Sequence, residues 1–473
     1  MAIVRGRLKL SLVGALLIML TACGGGASGS PDVAAAPPAP APSPPPSGLL
    51  TNSQLRTAAD PSAAFVATET SQWFATHAKV IRSLTVDDDF SDLEFFDALI
   101  ADKRLVLLGE STHGAEEYSQ AKIRLIKYLH ETQGYNVLAF EGGLFDCERA
   151  QELLVSASAR SAMNSCLFGV WQTPTVLELL EYVRSTQATA NPLRITGFDV
   201  QASGTRFNER AERTRALFEK ISAERAVQVF EIERAYAQLV RAALGATSDG
   251  DAAMVALRSN LTTIQVDYAL IADELEASAA TITADGQFST RDVQIAAQYA
   301  RTSPDWAEQA GQRFTLGRGS VERDRGMASN LLSLSQSIYS NDKIIAWAHN
   351  AHLRHRGTGL APNASMGAIV HRSLEDSMYT VGFYMYRGQH ALPDGAIRTI
   401  APPMNNSLES IFYASRLAWL FLDLENAPAT QGHEWINLPT PTWTWGDINL
   451  PLTLADEYDG LFIVDSVVPP NSF

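Results

Sequence analysis

Several familiar signatures are missing from this chain, and each absence narrows its chemistry. No G-x-S-x-G occurs; the closest stretches, Gly317-Arg-Gly-Ser320 and Ser365-Met-Gly367, miss the pattern and follow no clean strand, which argues against a serine nucleophile on a strand-to-helix elbow. No H-E-x-x-H occurs, so the usual helix-borne zinc pair is absent. Only three cysteines are present among 473 residues. Positive charge is in deficit: 37 basic against 52 acidic residues give −15, and removing the leader cations Arg5, Arg7 and Lys9 takes the rest to −18. That excess disfavours nucleic acid or an anionic membrane surface as a partner. No tandem repeat or long heptad run is visible. After residue 23 no apolar run is long enough to span a bilayer.

What is present begins with a sorting signal. Three cations precede the apolar run Leu10 to Leu20, which has the length of a signal-peptide core. Leu20-Thr21-Ala22-Cys23 follows and reads as a lipobox, in which Cys23 becomes the lipidated first residue. Acyl chains there would hold the protein at a membrane through the anchor alone. Residues 24–60 are Gly/Ser-rich and then Pro/Ala-rich, a composition that cannot bury a core and suits an extended tether. The expected organisation is a leader over 1–23, a linker over 24–60 and a catalytic domain over 61–473, in an exported, lipid-anchored protein of the cell envelope. In an oxidising compartment the remaining cysteines, Cys147 and Cys166, either form a disulfide or stay as two buried thiols.

The body has the apolar content of a globular domain, with 46% hydrophobic and 19% charged residues overall. Short apolar runs at 104–109, 136–141, 193–199, 343–349, 379–384 and 461–465 have the length and continuity of strands buried on both faces. Between the first two, residues 115–132 carry helical periodicity and meet Gly134 as a stop. Strand, helix, strand implies an α/β fold, a mostly parallel sheet flanked by helices with a cleft at the carboxyl ends of its strands. Residues 205–340 are rich in Ala, Glu, Arg and Leu with almost no strand signal, which predicts a large helical insertion.

Polar residues collect where these strands end. The first runs into Glu110-Ser-Thr-His113, the second into Glu141-Gly-Gly, the third ends at Asp199 and the fourth runs into His349-Asn-Ala-His352. His titrates near neutrality, so His113 can take a proton from water. Glu110, three residues before it, and Glu141, expected on the neighbouring strand, can orient the imidazole. His349 and His352 can donate to a carbonyl oxygen as it becomes an oxyanion. Zinc on His113, His349, His352 and a glutamate stays open as a rival, because H-x-x-H after a strand is plausible ligand spacing.

Leu-Gly-Glu110-Ser-Thr-His113-Gly-Ala-Glu116, Phe140-Glu141-Gly-Gly, Gly197-Phe-Asp199, Arg323-Asp324-Arg-Gly-Met327-Ala and Ala348-His349-Asn-Ala-His352 resemble, in this order, the motifs of the erythromycin esterase-like family. The resemblance implies an α/β core with helical elaborations around a deep cleft. It further implies a histidine base that activates water at a macrolactone ester without a metal. His113 matches that base, Glu110 and Glu141 its acidic partners, and His349 and His352 the second pair. Nine residues after the base, where the family carries Arg, this chain has Lys122, which supplies charge without a bidentate fork.

Further expectations concern the surroundings. Lys122, Glu116, Asp199 and Arg323 are candidate substrate-binding groups. Glu116 either faces the site or is a solvated first-turn acid, and Arg323 with Asp324 either forms a surface pair or reaches the cleft. His355, His371, His390 and His433 have no partner pattern. Trp435, Trp443 and Trp445 suit core packing better than a cleft wall. The sequence thus predicts a cofactor-free hydrolase of a small-molecule ester or lactone. Its rivals are a metal-dependent hydrolase or peptidase and a ligand-binding lipoprotein without turnover.

Overall fold

A computed structural model describes residues 64–87, 89–315, 318–357 and 363–471 of the chain. The expected leader, Cys23 and the whole linker lie outside these residues. Nine strands form the main sheet: β1 Lys79–Val80, β2 Leu105–Leu108, β3 Val137–Gly143, β4 Arg194–Asp199, β5 Ile344–Trp347, β6 Met378–Ala391, β7 Ile397–Thr399, β8 Trp419–Asp423 and β9 Gly460–Val467. Their order is β1-β8-β9-β6-β2-β5-β3-β4, with β7 beside β6. The six strands from β9 to β4 are mutually parallel, while β8 joins antiparallel to β9, and β1 and β7 are antiparallel edge additions.

All six expected strands are present. The antiparallel strand β8 was not anticipated, since a five-residue apolar run does not separate strand from buried helix. β6 runs past its apolar stretch to Ala391 because its far end pairs with both β7 and β9. Helix α1, Glu116–Gln133, ends at Gly134, whose φ of 72° is open to glycine at little cost.

Successive strand residues face opposite sides of the sheet. Val106, Leu108, Leu138, Phe140, Ile345 and Trp347 pack with Ile126 and Leu129 of α1 and with Cys147, Leu179 and Val183. The last three belong to helices α2, Leu144–Ser156, and α4, Pro174–Thr186; between them lies α3, Ala159–Cys166. Leu105, Leu107, Val137, Ala139, Ile344 and Ala346 meet the opposite layer.

That second layer is the helical stretch between β4 and β5. It contains α5 Arg210–Phe218, α6 Ala223–Leu244, α7 Ala252–Ala277, α8 Thr290–Gly311 and α9 Arg318–Ser333. No strand occurs among the described residues of this stretch. Its sheet connection also corrects one expectation. The chain returns from the insertion between β2 and β3, so β5 separates the strand bearing Glu141 from the strand leading to Glu110. Cys147 and Cys166 form a disulfide that ties α2 to the end of α3.

Candidate active site

Glu110, His349, Glu141 and Asp199 reach one edge of the sheet because β2, β5, β3 and β4 are consecutive neighbours running the same way. Gly109 ends β2 with no side chain, and a Cβ there would meet Asn350 Oδ1 at 2.0 Å. Asn350 takes that space and bridges to β6, donating to Phe383 O at 3.0 Å and accepting from Phe383 N at 3.2 Å. The close approach fixes the loops after β2 and β5 against each other.

The first half of the site is built around one carboxylate. Glu110 Oε1 lies 2.6 Å from His113 Nδ1 and accepts from Trp171 Nε1 at 3.0 Å. Glu110 Oε2 accepts from Trp347 Nε1 at 3.1 Å and from Lys122 Nζ. With Glu110 accepting, the neutral His113 ring carries its proton on Nδ1 and its lone pair on Nε2. Lys122, expected to bind substrate, is fully buried behind Glu110 with its ammonium 4.2 Å from the centre of the Trp347 ring. Burial pushes its pKa down to about 8, against the pull of Glu110.

The second half surrounds Glu141. Its Oε1 accepts from Arg323 Nη2 at 2.7 Å and its Oε2 from the His349 backbone N–H at 2.8 Å. Burial alone would raise the pKa of Glu141, but His352, Arg323, His113 and that N–H outweigh it and hold the group far below the usual carboxylate range. Arg323 also grips Asp199, with Nη2 2.6 Å from Oδ2. It is therefore a buried cation shared by two carboxylates and not half of a surface pair with Asp324. Asp324 instead accepts from His352 Nδ1 at 2.6 Å. His352 Nε2 lies 3.2 Å from Arg323 Nη1 and 3.4 Å from Glu141 Oε1. Burial opposes the charged form of His352, yet Asp324 and Glu141 outweigh burial and raise its pKa.

His349 links the halves. Its ring centre lies 5.0 Å from that of His113. Its Nε2–H donates to Ser111 O at 3.2 Å, and its Nδ1 accepts from Ala351 N at 3.1 Å. Both nitrogens are thus spent on backbone groups, which differs from the expected donation to an oxyanion. Burial, followed by the nearby His113, pushes its pKa well below the ordinary value, so the ring is neutral. Glu116 is turned away toward α4, accepting from Thr175 and from Gln120 Nε2 at 3.2 Å. Burial raises its pKa.

Two tryptophans belong here that sequence reasoning missed, and a third, Trp445, was expected to suit core packing better than a cleft wall. Trp171 and Trp347 supply the indole N–H groups on Glu110, and Trp445 stacks on His349 at 4.6 Å with an 18° tilt. Trp445 adopts φ 54°, a costly conformation for a bulky residue, followed by Gly446 at 75°. The only sequence signal was the Trp-Gly-Asp turn following Trp443. His390, expected to lack a partner, is buried with Nδ1 2.8 Å from Thr112 Oγ1.

Among the described residues no group of three or more His, Cys, Asp or Glu side chains is arranged to hold a metal ion. The nitrogens that zinc would need on His349 already serve the backbone, so the residues do not fit the zinc alternative.

A buried imidazole seated on a carboxylate, on a parallel α/β sheet with cations behind each acid, defines a hydrolase-like centre without the serine elbow. The chain belongs to the erythromycin esterase family, whose model matches residues 130–467, and this membership places it among hydrolases of the ester type. It is 27% identical to YbfO of Bacillus subtilis (strain 168) over 413 residues, 84% of this chain and 91% of that one. It is 23% identical to erythromycin esterase type II of Escherichia coli over 322 residues, 64% of this chain and 74% of that one. Its fold is similar to that of a mutant of the erythromycin esterase EreC in its open conformation, at a TM-score of 0.63 and 16% identity, covering 83% of this chain and 98% of that one.

Proposed function

We propose that the protein hydrolyses a carboxylic ester or lactone, macrolide-type lactones included, with His113 as general base toward water. The observation that carries this reading is the 2.6 Å contact between His113 Nδ1 and Glu110 Oε1, on a carboxylate that three further donors hold in place. Nε2 takes a proton from water as the water oxygen attacks the carbonyl carbon. The tetrahedral intermediate then collapses, the ester C–O bond breaks, and the imidazolium returns the proton to the departing alkoxide. An acid and an alcohol leave, or a hydroxy acid when the substrate is cyclic.

Formal charges favour that proton transfer. Glu110, Glu141, Asp199 and Asp324 outnumber Lys122 and Arg323, which leaves the centre net negative while His113 is neutral. Proton uptake by His113 reduces that charge. Arg323 is the buried cation available to oppose charge on the carbonyl oxygen, while His349 and Trp445 act as positioning groups. No cofactor enters this scheme.

The test is hydrolysis of a panel of 4-nitrophenyl esters and macrolactones by the full chain. His113→Ala should lower turnover by roughly 10²- to 10⁴-fold with the circular dichroism spectrum kept, and chelator should leave the rate unchanged. Activity that survives His113→Ala, or that chelator removes and zinc restores, would overturn the reading.

The cellular setting is part of the same proposal: export and anchoring through Cys23, with the small-molecule substrate met in the envelope. The Leu-Thr-Ala-Cys23 stretch supports it, as does the Cys147–Cys166 bridge, since disulfides persist in oxidising compartments. Cys23→Ser should release the protein from membranes or stall its processing. Unchanged membrane association of that variant would refute the anchor.

A further inference from the structure

Arg194 opens β4 at the end of the sheet opposite the hydrolytic centre. Asp199 lies five positions further along, roughly 16 Å on a strand. Over this end of β4, between α2, α5 and α8, lies a cavity of about 210 Å3, room for several waters or one compact ligand. Its wall includes four guanidinium groups, from Arg149, Arg194, Arg213 and Arg291, and three acids, Glu148, Glu152 and Asp292.

The pairing within that wall is uneven. Arg213 reaches Asp292 at 2.9 Å and Glu152 at 3.3 Å, while Arg149 reaches Glu209 at 3.2 Å and Glu152 as well. Among the described residues no carboxylate lies within ion-pair distance of Arg194 or Arg291. Arg291 rests its guanidinium 4.6 Å from the centre of the Tyr339 ring, and its Nε is buried without a hydrogen-bond partner. A buried donor without an acceptor costs stability unless a ligand or water serves it. Two cations without carboxylates, one with an orphan donor, on the wall of a single cavity therefore call for oxyanion oxygens.

We propose that this cavity binds a compact multivalent oxyanion, a phosphate ester or a polycarboxylate, at a site separate from the hydrolytic centre. Planar guanidinium forks suit such groups because they donate in pairs. Glu148 opposes the ligand only in its ionised form. Burial raises its pKa to about 7, against the Thr196 hydroxyl and the charge of Arg291. Facing it are Arg291 and Asp292 of α8, Arg194 and Thr196 of β4, and Tyr339. Protonated, Glu148 donates to an oxyanion.

The test is calorimetric titration of the full chain with inorganic pyrophosphate and, separately, with citrate, at ionic strength held constant with sodium chloride. Saturable one-to-one binding of at least one anion is expected, and the responding anion tells phosphate from carboxylate recognition. Arg194→Gln/Arg291→Gln should weaken it tenfold or more, while Arg301→Gln, on a surface arginine paired with Glu276, should leave it unchanged. The single Lys variants should each bind more tightly than the matching Gln variants, which keeps the question answerable if the double variant folds poorly. No saturable binding of either anion at millimolar concentration, or equal affinity in Lys and Gln variants, would overturn the proposal.

Discussion

Trp445 lies flat on His349, ring centres 4.6 Å apart, and reaches that position only by placing its own backbone at φ 54°. Its backbone N–H donates to Ser111 O at 2.9 Å, the same carbonyl that receives His349 Nε2–H. One backbone oxygen thus holds both the His349 ring and the Trp445 main chain. His349 is held neutral and oriented at the seam between the Glu110 and Glu141 halves.

Glu110 and Lys122 form a fully buried ion pair that also seats the proposed base. Glu110→Gln or Lys122→Met should each cost about 3–5 kcal/mol by leaving one charge buried without its partner. The double variant should recover most of that loss in urea unfolding and still hydrolyse no ester, because His113 has lost its carboxylate. A double variant as unstable as the singles would contradict this account.

Glu409 is fully buried beside the Trp443 backbone, and burial raises its pKa to about 7. Between the unfolded value near 4.3 and about 7, the folded state keeps the proton and the unfolded state does not. The stability this group contributes is therefore complete below the unfolded value and lost as pH rises toward 7. Glu409→Gln keeps the acceptor for Trp443 N–H and does not titrate. It should gain about 2–3 kcal/mol over the parent between pH 5 and pH 8, read as the difference in urea midpoints; a gain independent of pH would refute the assignment.

The Cys147–Cys166 bridge closes a loop spanning 19 positions, so Cys147→Ser/Cys166→Ser should lose about 3 kcal/mol. A Cβ on Gly142 would stand 3.0 Å from Cys147 Sγ, so loosening here falls beside Glu141. Thermal melts with and without reductant check the value, and a parent protein indifferent to reductant would rule out a stabilising bridge.

The fold was legible because parallel strands buried on both faces write themselves as continuous apolar runs, and all six such runs became strands. Their order was not legible: placing β5 between β2 and β3 depends on where a long insertion returns, which no local pattern records. At the site, Glu110, His113, Glu141, His349 and His352 stood out as polar groups ending apolar strands. The roles of Lys122 and Arg323 did not, because a cation in sequence gives no sign of which carboxylate will enclose it. Trp171 and Trp347 were hidden, and Trp445 assigned to the core, for a related reason. An indole counts as apolar in any periodicity, although its N–H can carry half the design of a carboxylate site.

Asp199 ends β4 just before the helical insertion and Arg323 lies within it, on α9, 124 positions further on. Contacts that distant pay their loop-closure entropy late, so the two halves of the site mature at different times. Glu110, His113 and Lys122 are neighbours in the chain and can meet as soon as β2 docks on α1. Until α9 arrives, Glu141 and Asp199 have no guanidinium to share, and two carboxylates so placed resist burial. The centre therefore closes only on a chain whose insertion is already in place, because Arg323, the cation Glu141 and Asp199 share, belongs to that insertion.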